Sequence, residues 1–265
     1  EVLVSRVLVF DLETSPVMAL VWGVWKQNIP AKMIDQTWNI LSYSAKWLGE
    51  DDIYYNDLRD QAVNGFVDDS ELLVELYDLV SQADVLVAHN GDRFDIPRLN
   101  TRFLRAGLSP IHRIQSVDTC KIARRIFDFE HNSLEYLTTQ LLPEEYHKRK
   151  SQKFHGVDLW LECLSGNIEA WDEMQDYNEQ DVIALEALYL LIRSWDDRHP
   201  VMANLGEDLP DKPTCRVCES TNLHRRGYQH TRTMKYQRYR CMDCGAWSRS
   251  RFAEKQDERK RNILV

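Results

Sequence analysis

Four carboxylates and a tyrosine in this 265-residue chain have the types and spacing to hold hard divalent cations. Asp11 ends the apolar run 3–10, and Glu13 follows two residues on. In an extended strand, residues i and i+2 face the same way. Both carboxylates therefore project together from the strand end. Two like charges this close are costly unless a cation lies between them. The pair reads as divalent-metal ligands or, more commonly for such a pair taken alone, as acidic surface. A second element is Asn90-Gly91-Asp92-Arg93-Phe94-Asp95-Ile96-Pro97-Arg98-Leu99. It leaves an apolar segment through a polar turn and puts Asp95 at the start of a helix. There the carboxylate is either a helix cap or a third ligand facing the first two, with Phe94 packed beneath the turn. A third element, Tyr177-Asn178-Glu179-Gln180-Asp181, sets a phenol and a carboxylate on one helix face. An amphipathic helix with a surface Asp is the plainer reading.

Softer ligands lie near the C-terminus. Cys215-x-x-Cys218 and Cys241-x-x-Cys244 are separated by 22 residues. Two such knuckles supply a closed tetrahedral thiolate set for one structural Zn²⁺, with no position open for catalysis. So short a segment could hardly fold without its metal. A redox pair would be expected beside a βαβ pattern, and none flanks these cysteines. Cys120 and Cys163 stand alone and read as small buried residues. This usage fits a reducing intracellular compartment better than a secreted disulfide framework. Between Arg225 and Arg251 lie Arg226, Arg232, Lys235, Arg238, Arg240 and Arg249, interleaved with Tyr228, Tyr236, Tyr239 and Trp247; Asp243 is the only acid there. Cations for phosphates and rings for bases suit nucleic-acid binding, with Arg238 and Arg240 as contacts. The alternative is a module that docks on the acidic body or on a partner protein.

The elements that must position these groups follow from periodicity. Residues 3–10 form a buried strand. Two more strands are expected at 17–26 and 37–47, with Trp22, Trp25, Trp38 and Trp47 supplying large apolar area. Residues 69–82 have helical spacing, capped by Asp69 or Ser70. Val85 to Ala88 is a short strand, and 95–106 a helix with Pro97 in its first turn. A strand at 116–118 leads into a helix through Arg125. Ser133 caps another, and 143–156 is a basic exposed loop. Residues 168–193 form the longest helix. Strands alternating with helices give an α/β fold with a mixed sheet. The expected domains are 1–195, a linker over 196–212, and a zinc module over 213–265. Charge divides the same way. Residues 201–265 hold 14 Lys and Arg against 8 Asp and Glu, a balance of +6, whereas 1–200 hold 19 against 34, a balance of -15. The basic part attracts polyanions that the acidic body repels. No apolar run approaches the roughly 20 residues that span a bilayer, and no secretory leader is visible.

The ordered combination of motifs resembles the DEDD (DnaQ-like) 3′→5′ exonuclease superfamily, over about residues 3–193. Asp11 and Glu13, within Phe10-Asp11-Leu12-Glu13-Thr14, match its first motif. Asn90-Gly91 and Phe94-Asp95-x-Pro97-x-Leu99 match its second and are similar to the proofreading domains of family B DNA polymerases. Tyr177-x-x-x-Asp181 matches the third. The histidine subclass would carry His where Asp176 stands, so the resemblance is to the tyrosine subclass. Asp118-Thr119, Lys121 and Ala123-Arg124 also resemble the family, with Asp118 in a structural role. The resemblance implies an RNase H-like mixed β-sheet flanked by helices, joined here to a C-terminal zinc ribbon. It further implies two Mg²⁺ or Mn²⁺ ions about 4 Å apart. Asp11 would bridge them, with Glu13 and Asp181 at the ion that activates water. Tyr177 would orient that water, and Asp95 would serve the second ion. Leu12, Thr14, Asn90 and Phe94 would contact the terminal nucleotide. Lys148, Arg149, Lys150 and Lys153 would either hold the incoming strand or form a solvated loop. The implied activity is 3′→5′ hydrolysis of a single-stranded or frayed 3′ end, DNA preferred, alone or beside a polymerase or a replication or repair partner. An exoribonuclease and a nucleic-acid-binding adaptor without catalysis are the alternatives.

Overall fold

A strand apolar on both faces belongs in the middle of a sheet, and residues 7–12 are such a strand. The computed structural model describes residues 5–62, 68–111, 114–147, 153–206 and 210–254. In it β1 (Val7–Thr14) is buried from Val7 to Phe10 and becomes half-exposed at Asp11 and Glu13. It pairs antiparallel with β4 (Ile40–Trp47) and parallel with β6 (Val85–Ala88). β5 (Ile53–Asp57) and β7 (Gln115–Asp118) form the edges, giving the order β5-β4-β1-β6-β7. This is an RNase H-like mixed sheet flanked by helices. β5 escapes the sequence reading because Asn56, Asp57 and their neighbours break any apolar alternation.

The helices cover the sheet. α1 (Ser70–Ser81) buries Leu72, Leu73, Leu76, Leu79 and Val80, as its spacing predicts. α2 (Asp95–Arg105) buries Leu99 and Phe103. α3 (Thr119–Ile126) and α4 (Leu134–Leu141) start at the side-chain caps Asp118 and Ser133. α5 (Asp158–Leu164) was not legible as a helix, and α6 (Ile168–Ile192) is the longest. Leu8, Phe10 and Leu12 of β1 pack with α1, with Leu159 and Cys163 of α5, and with Trp171 and Met174 of α6 in one hydrophobic cluster.

Two expectations need correction. Asp69 occupies the N-cap position of α1 but makes no capping bond. Its fully buried carboxylate instead accepts from Ile40 N at 2.9 Å and Arg102 Nε at 2.8 Å, and pairs with Arg102 Nη2. The helix start is served by Asp68, which accepts from Ser70 N at 3.0 Å. Removing one partner of such a pair strands a buried charge. Arg102→Ala should therefore cost about 3–5 kcal/mol, read from urea unfolding; a change within the error of the midpoint would refute the assignment.

The second correction concerns residues 17–26. Only β2 (Met18–Ala19) and β3 (Ile34–Gln36) pair in that region, as a separate two-stranded ribbon. Trp47 is buried as expected, but Trp22 and Trp25 are 96% and 85% exposed. Valine and tryptophan content suggests a strand, yet among the described residues only Met18–Ala19 of this run finds a strand partner.

Contacts divide the chain into one unit of residues 6–189 and another of 1–5 with 190–265. The division falls inside α6. In the second unit the segment 196–212 buries His199 and Met202, and Ser5 Oγ donates to Met202 O at 2.7 Å. Arg216 Nη2 donates to Asp196 O at 2.6 Å. β8 (Leu223–His230), β9 (Lys235–Cys241) and β10 (Trp247–Arg249) form an antiparallel sheet beside the four cysteines. Among the described residues, no helix is long and apolar enough to cross a membrane.

Candidate active site

The C-terminal ends of parallel strands are where open α/β sheets gather functional groups. Asp11 and Glu13 leave β1 there, just before a register shift between Glu13 and Thr14. Each carboxylate has its own donor. Asp11 Oδ2 accepts from Asn178 Nδ2 at 2.8 Å, and the fully buried Asn178 accepts from Ser42 Oγ at 3.2 Å. Glu13 Oε2 accepts from Trp160 Nε1 at 3.2 Å. Asp95 Oδ1 accepts from Leu12 N at 3.3 Å, which draws the start of α2 onto the backbone between Asp11 and Glu13.

The turn that delivers Asp95 is built from backbone demands. Asn90 has φ +64°, a left-handed conformation that Asn tolerates better than most residues. A Cβ at Gly91 would lie 2.4 Å from Ala88 Cβ, so no other residue fits without displacement. Asp118, at the end of β7, accepts from Asn90 N at 3.0 Å, Asp92 N at 3.3 Å and Lys121 N at 3.1 Å. It caps α3 and fixes the turn at once. On α2, Arg98 Nη1 donates to Thr14 Oγ1 at 2.6 Å, and its guanidinium lies 4.0 Å from the Phe94 ring centroid and 4.9 Å from that of Trp38. Phe94 therefore does not pack beneath the turn; it is part-exposed and stacked on Arg98.

Electrostatics tie the third motif to the first. Burial pushes the Tyr177 hydroxyl well above its usual range, and the carboxylates of Asp181, Glu13 and Asp11 push it further. The phenol stays protonated and can donate. Its ring meets Trp160 edge-on, with centroids 6.2 Å apart. Asp181 is buried on the same helix. Tyr177 of α6 thus lies near Asp181, Glu13 and Asp11, and Asp95 of α2 is tied to the same strand through Leu12 N. Leu12 is buried in the hydrophobic cluster. Lys148, Arg149 and Lys150 lie outside the described residues. Lys153 pairs with Glu169 at 2.8 Å on the surface. Arg238 and Arg240 belong to the other unit.

Sequence reasoning missed Asn178, Trp160, Ser42 and Arg98. Asn178 carried one signal, an amide beside the Tyr177 motif in a helix with few places to satisfy it. Trp160 carried none, since α5 was not recognised.

Asp95 is 2% exposed, and burial, with Asp118 nearby, pushes its pKa up from 3.8 to about 7. The folded carboxyl thus holds its proton where the unfolded one has lost it. Stability contributed by the protonated form is complete below about pH 4 and is lost as pH rises toward 7. In EDTA, Asp95→Asn should raise the melting temperature at pH 8 and leave it unchanged at pH 4. Equal shifts at both pH values would refute the burial argument.

The donor chemistry suits two kinds of cation. Carboxylate oxygens such as those of Asp11, Glu13, Asp95 and Asp181 are hard donors of the kind that Mg²⁺ or Mn²⁺ takes. The ligand atoms of Cys215, Cys218, Cys241 and Cys244 all lie within 4.8 Å of one another. Two Sγ–Sγ separations are 3.5 and 3.6 Å. A Zn–S length of about 2.3 Å implies tetrahedron edges of about 3.8 Å, so the set fits Zn²⁺. Hydrogen bonding among the four thiols lowers the Cys215 thiol at the expense of Cys218, which it raises.

The match to a protein family agrees with this fold. The RNase_H_2 family, described as RNase H superfamily, matches residues 49–193. A stretch of 78 residues is 35% identical to the PolC-type DNA polymerase III of Ureaplasma parvum serovar 3 (strain ATCC 700970), covering 29% of this chain and 5% of that protein. The family B DNA polymerase of the hyperthermophilic archaeon Pyrobaculum calidifontis aligns with 72% of this chain and 25% of its own, at 16% identity and a TM-score of 0.46. This chain thus spans a small part of either polymerase.

Proposed function

The chain belongs to the RNase H superfamily, and on that footing we propose that it is a metal-dependent 3′→5′ exonuclease of the tyrosine subclass, acting on DNA in preference to RNA. What supports this reading is that Tyr177 lies near Asp11, Glu13 and Asp181, with Asp95 tied to the same strand end through Leu12 N. Each is a weak signal alone, and a structural carboxylate would not need the others.

Asp11, Glu13, Asp95 and Asp181 would hold two Mg²⁺ or Mn²⁺ ions. Bound there, the ions would lower the pKa of a water and offset the charge of the phosphate and of the departing 3′-oxygen. The chain's own groups do the rest. Asn178 holds the Asp11 carboxylate in one orientation, and Trp160 does the same for Glu13. The protonated Tyr177 hydroxyl donates to the attacking water and aims its lone pair at phosphorus. The new P–O bond forms as the P–O3′ bond breaks, releasing a nucleoside 5′-monophosphate and a strand one nucleotide shorter.

The cysteine module is read as a zinc ribbon that binds nucleic acid. The β9–β10 register sets Arg240 opposite Trp247 and Arg238 opposite Arg249. Arg238, Arg240, Arg249 and Trp247 therefore share one sheet face, and all four are exposed. Arg238 stacks on Trp247 at 4.5 Å and Arg249 on Tyr236 at 4.0 Å. Directly opposed like charges destabilise a sheet, and a polyanion would relieve them. A polymerase or repair partner would supply the synthesis that this chain's motifs do not include.

The test is a 5′-labelled oligonucleotide, single- or double-stranded, DNA or RNA, incubated with Mg²⁺, Mn²⁺ or EDTA. A ladder of 3′-shortened products that EDTA abolishes is expected. Products of internal cutting, or binding without cutting in either metal, would sink the reading.

A further inference from the structure

The run 16–36 is an arm with no core. Every residue in it is exposed or half-buried. Its pairing is confined to β2 and β3, with Leu20 N donating to Met33 O at 2.9 Å beyond them. A two-stranded ribbon alone is marginal in water, yet this one displays Trp22 at 96% and Trp25 at 85% exposure, with Leu20 and Val24 also open. Exposed apolar surface so concentrated marks a site of interaction.

Three observations identify what the arm meets. The first is its attachment. The arm leaves β1 two residues after Glu13 and returns at Asn39, where Ser15 and Asn39 clip its root through Ser15 N to Asn39 O and Asn39 N to Ser15 Oγ, both 2.9 Å. The helix that begins with Asp95 grips both sides of that root. Arg98 holds Thr14 at 2.6 Å, and Arg105 holds Thr37 at 2.8 Å. The root of the arm therefore adjoins the strand end that carries Asp11 and Glu13. The second is charge. Lys26 and Lys32 face one acid, Asp35, within 16–36, whereas residues 1–200 as a whole are strongly acidic. Arg98 and Arg105 add two more cations at the root, so the arm is less hostile to a polyanion than the acidic body that carries it. The third is ring chemistry. Indole offers the largest π-face of any side chain, and base–aromatic stacking tolerates every base.

We propose that the arm is a stacking platform for the single-stranded portion of a nucleic acid whose 3′ end enters the site, with Trp22 and Trp25 against bases and Lys26 and Lys32 against phosphates. This rests on the nuclease reading above.

The test uses full-length protein carrying Asp11→Asn, so that the strand is bound and not cut. Anisotropy of a labelled single-stranded oligonucleotide in Mg²⁺ gives the affinity. Trp22→Leu/Trp25→Leu keeps an apolar arm and removes both π-faces, and Trp22→Phe/Trp25→Phe keeps smaller ones. Stacking predicts a loss of about tenfold or more per indole in the Leu variant, and only a partial loss in the Phe variant. Neither change should disturb the fold, because these side chains pack against no core. If the parent binds and the Leu variant binds within twofold of it, the arm proposal fails while the nuclease reading stands. Leu and Phe variants that weaken equally would also overturn it, since shape or greasiness and not stacking would then be responsible. A parent that does not bind at all defeats both readings. Unchanged affinity with an altered sedimentation coefficient would instead assign the arm to contacts between copies of this chain.

Discussion

Asp11→Asn should abolish cutting, by at least about 10³-fold or some 4 kcal/mol of transition-state stabilisation, while leaving nucleic-acid binding and the fold intact. The substitution is nearly isosteric. The new amide oxygen can still accept from Asn178 Nδ2, which now holds Asp11 Oδ2 at 2.8 Å, so the buried Ser42–Asn178 chain survives. What is lost is one negative charge in a cluster that needs cations. Like charges at close range destabilise the metal-free protein, so the variant should melt at the same temperature as the parent in EDTA, or higher. Mg²⁺ should stabilise the parent by binding linkage and the variant much less. Two readouts thus separate a ligand from a structural carboxylate. If Asp11→Asn lowers stability and activity together, Asp11 serves the fold. If cutting persists, the site lies elsewhere.

The second large effect concerns the cysteines. Replacing Cys215 by Ser should eliminate bound zinc and unfold the module around it. Cys215 and Cys241 are buried with Val217 and Ala246 in a cluster of four small side chains, too few to stabilise three strands in water. A bound metal would supply the difference, since structural Zn²⁺ contributes about 10–16 kcal/mol in such sites at neutral pH. Purified protein should contain one zinc per chain. Cobalt exchanged into the site should give the absorption bands of a tetrahedral tetrathiolate. Cys215→Ser should show neither, and its affinity for nucleic acid should fall together with the salt dependence that Arg238, Arg240 and Arg249 would otherwise provide. A zinc-free variant that retains full affinity would mean that the ribbon's basic face grips something else.

The two predictions differ in how much of their basis could be read before the structure. The carboxylates and Tyr177 stood out as candidates through the ordered resemblance of their motifs to the exonuclease superfamily, and strand and helix periodicities say only which of them share a face. Period two puts Asp11 and Glu13 on one face and the helical four does so for Tyr177 and Asp181, but each pair alone is ordinary. Cysteine spacing is still more restrictive, since two knuckles can close on one ion in few ways. Donors to those groups were another matter. Trp160 reaches Glu13 across 147 residues and Asn178 reaches Asp11 across 167, and no local pattern records such distances. Asp69 was misassigned for the same reason. Locally it has the position of a cap, and only the arrival of Arg102 and Ile40 N makes another role more favourable.

The tryptophans of the arm mark the limit most clearly. Composition alone placed Trp22 and Trp25 in a strand as a source of large apolar area, because valine and tryptophan are strand formers. Burial, however, is a property of what lies opposite a residue. By itself the sequence determined which atoms could bind metal, which elements carry them, and the α/β alternation that joins those elements. The tertiary structure decided which donors orient the carboxylates, which acid is raised toward neutrality by its surroundings, and which large apolar side chains remain in water. Each of those depends on neighbours distant in the chain, brought close only by packing.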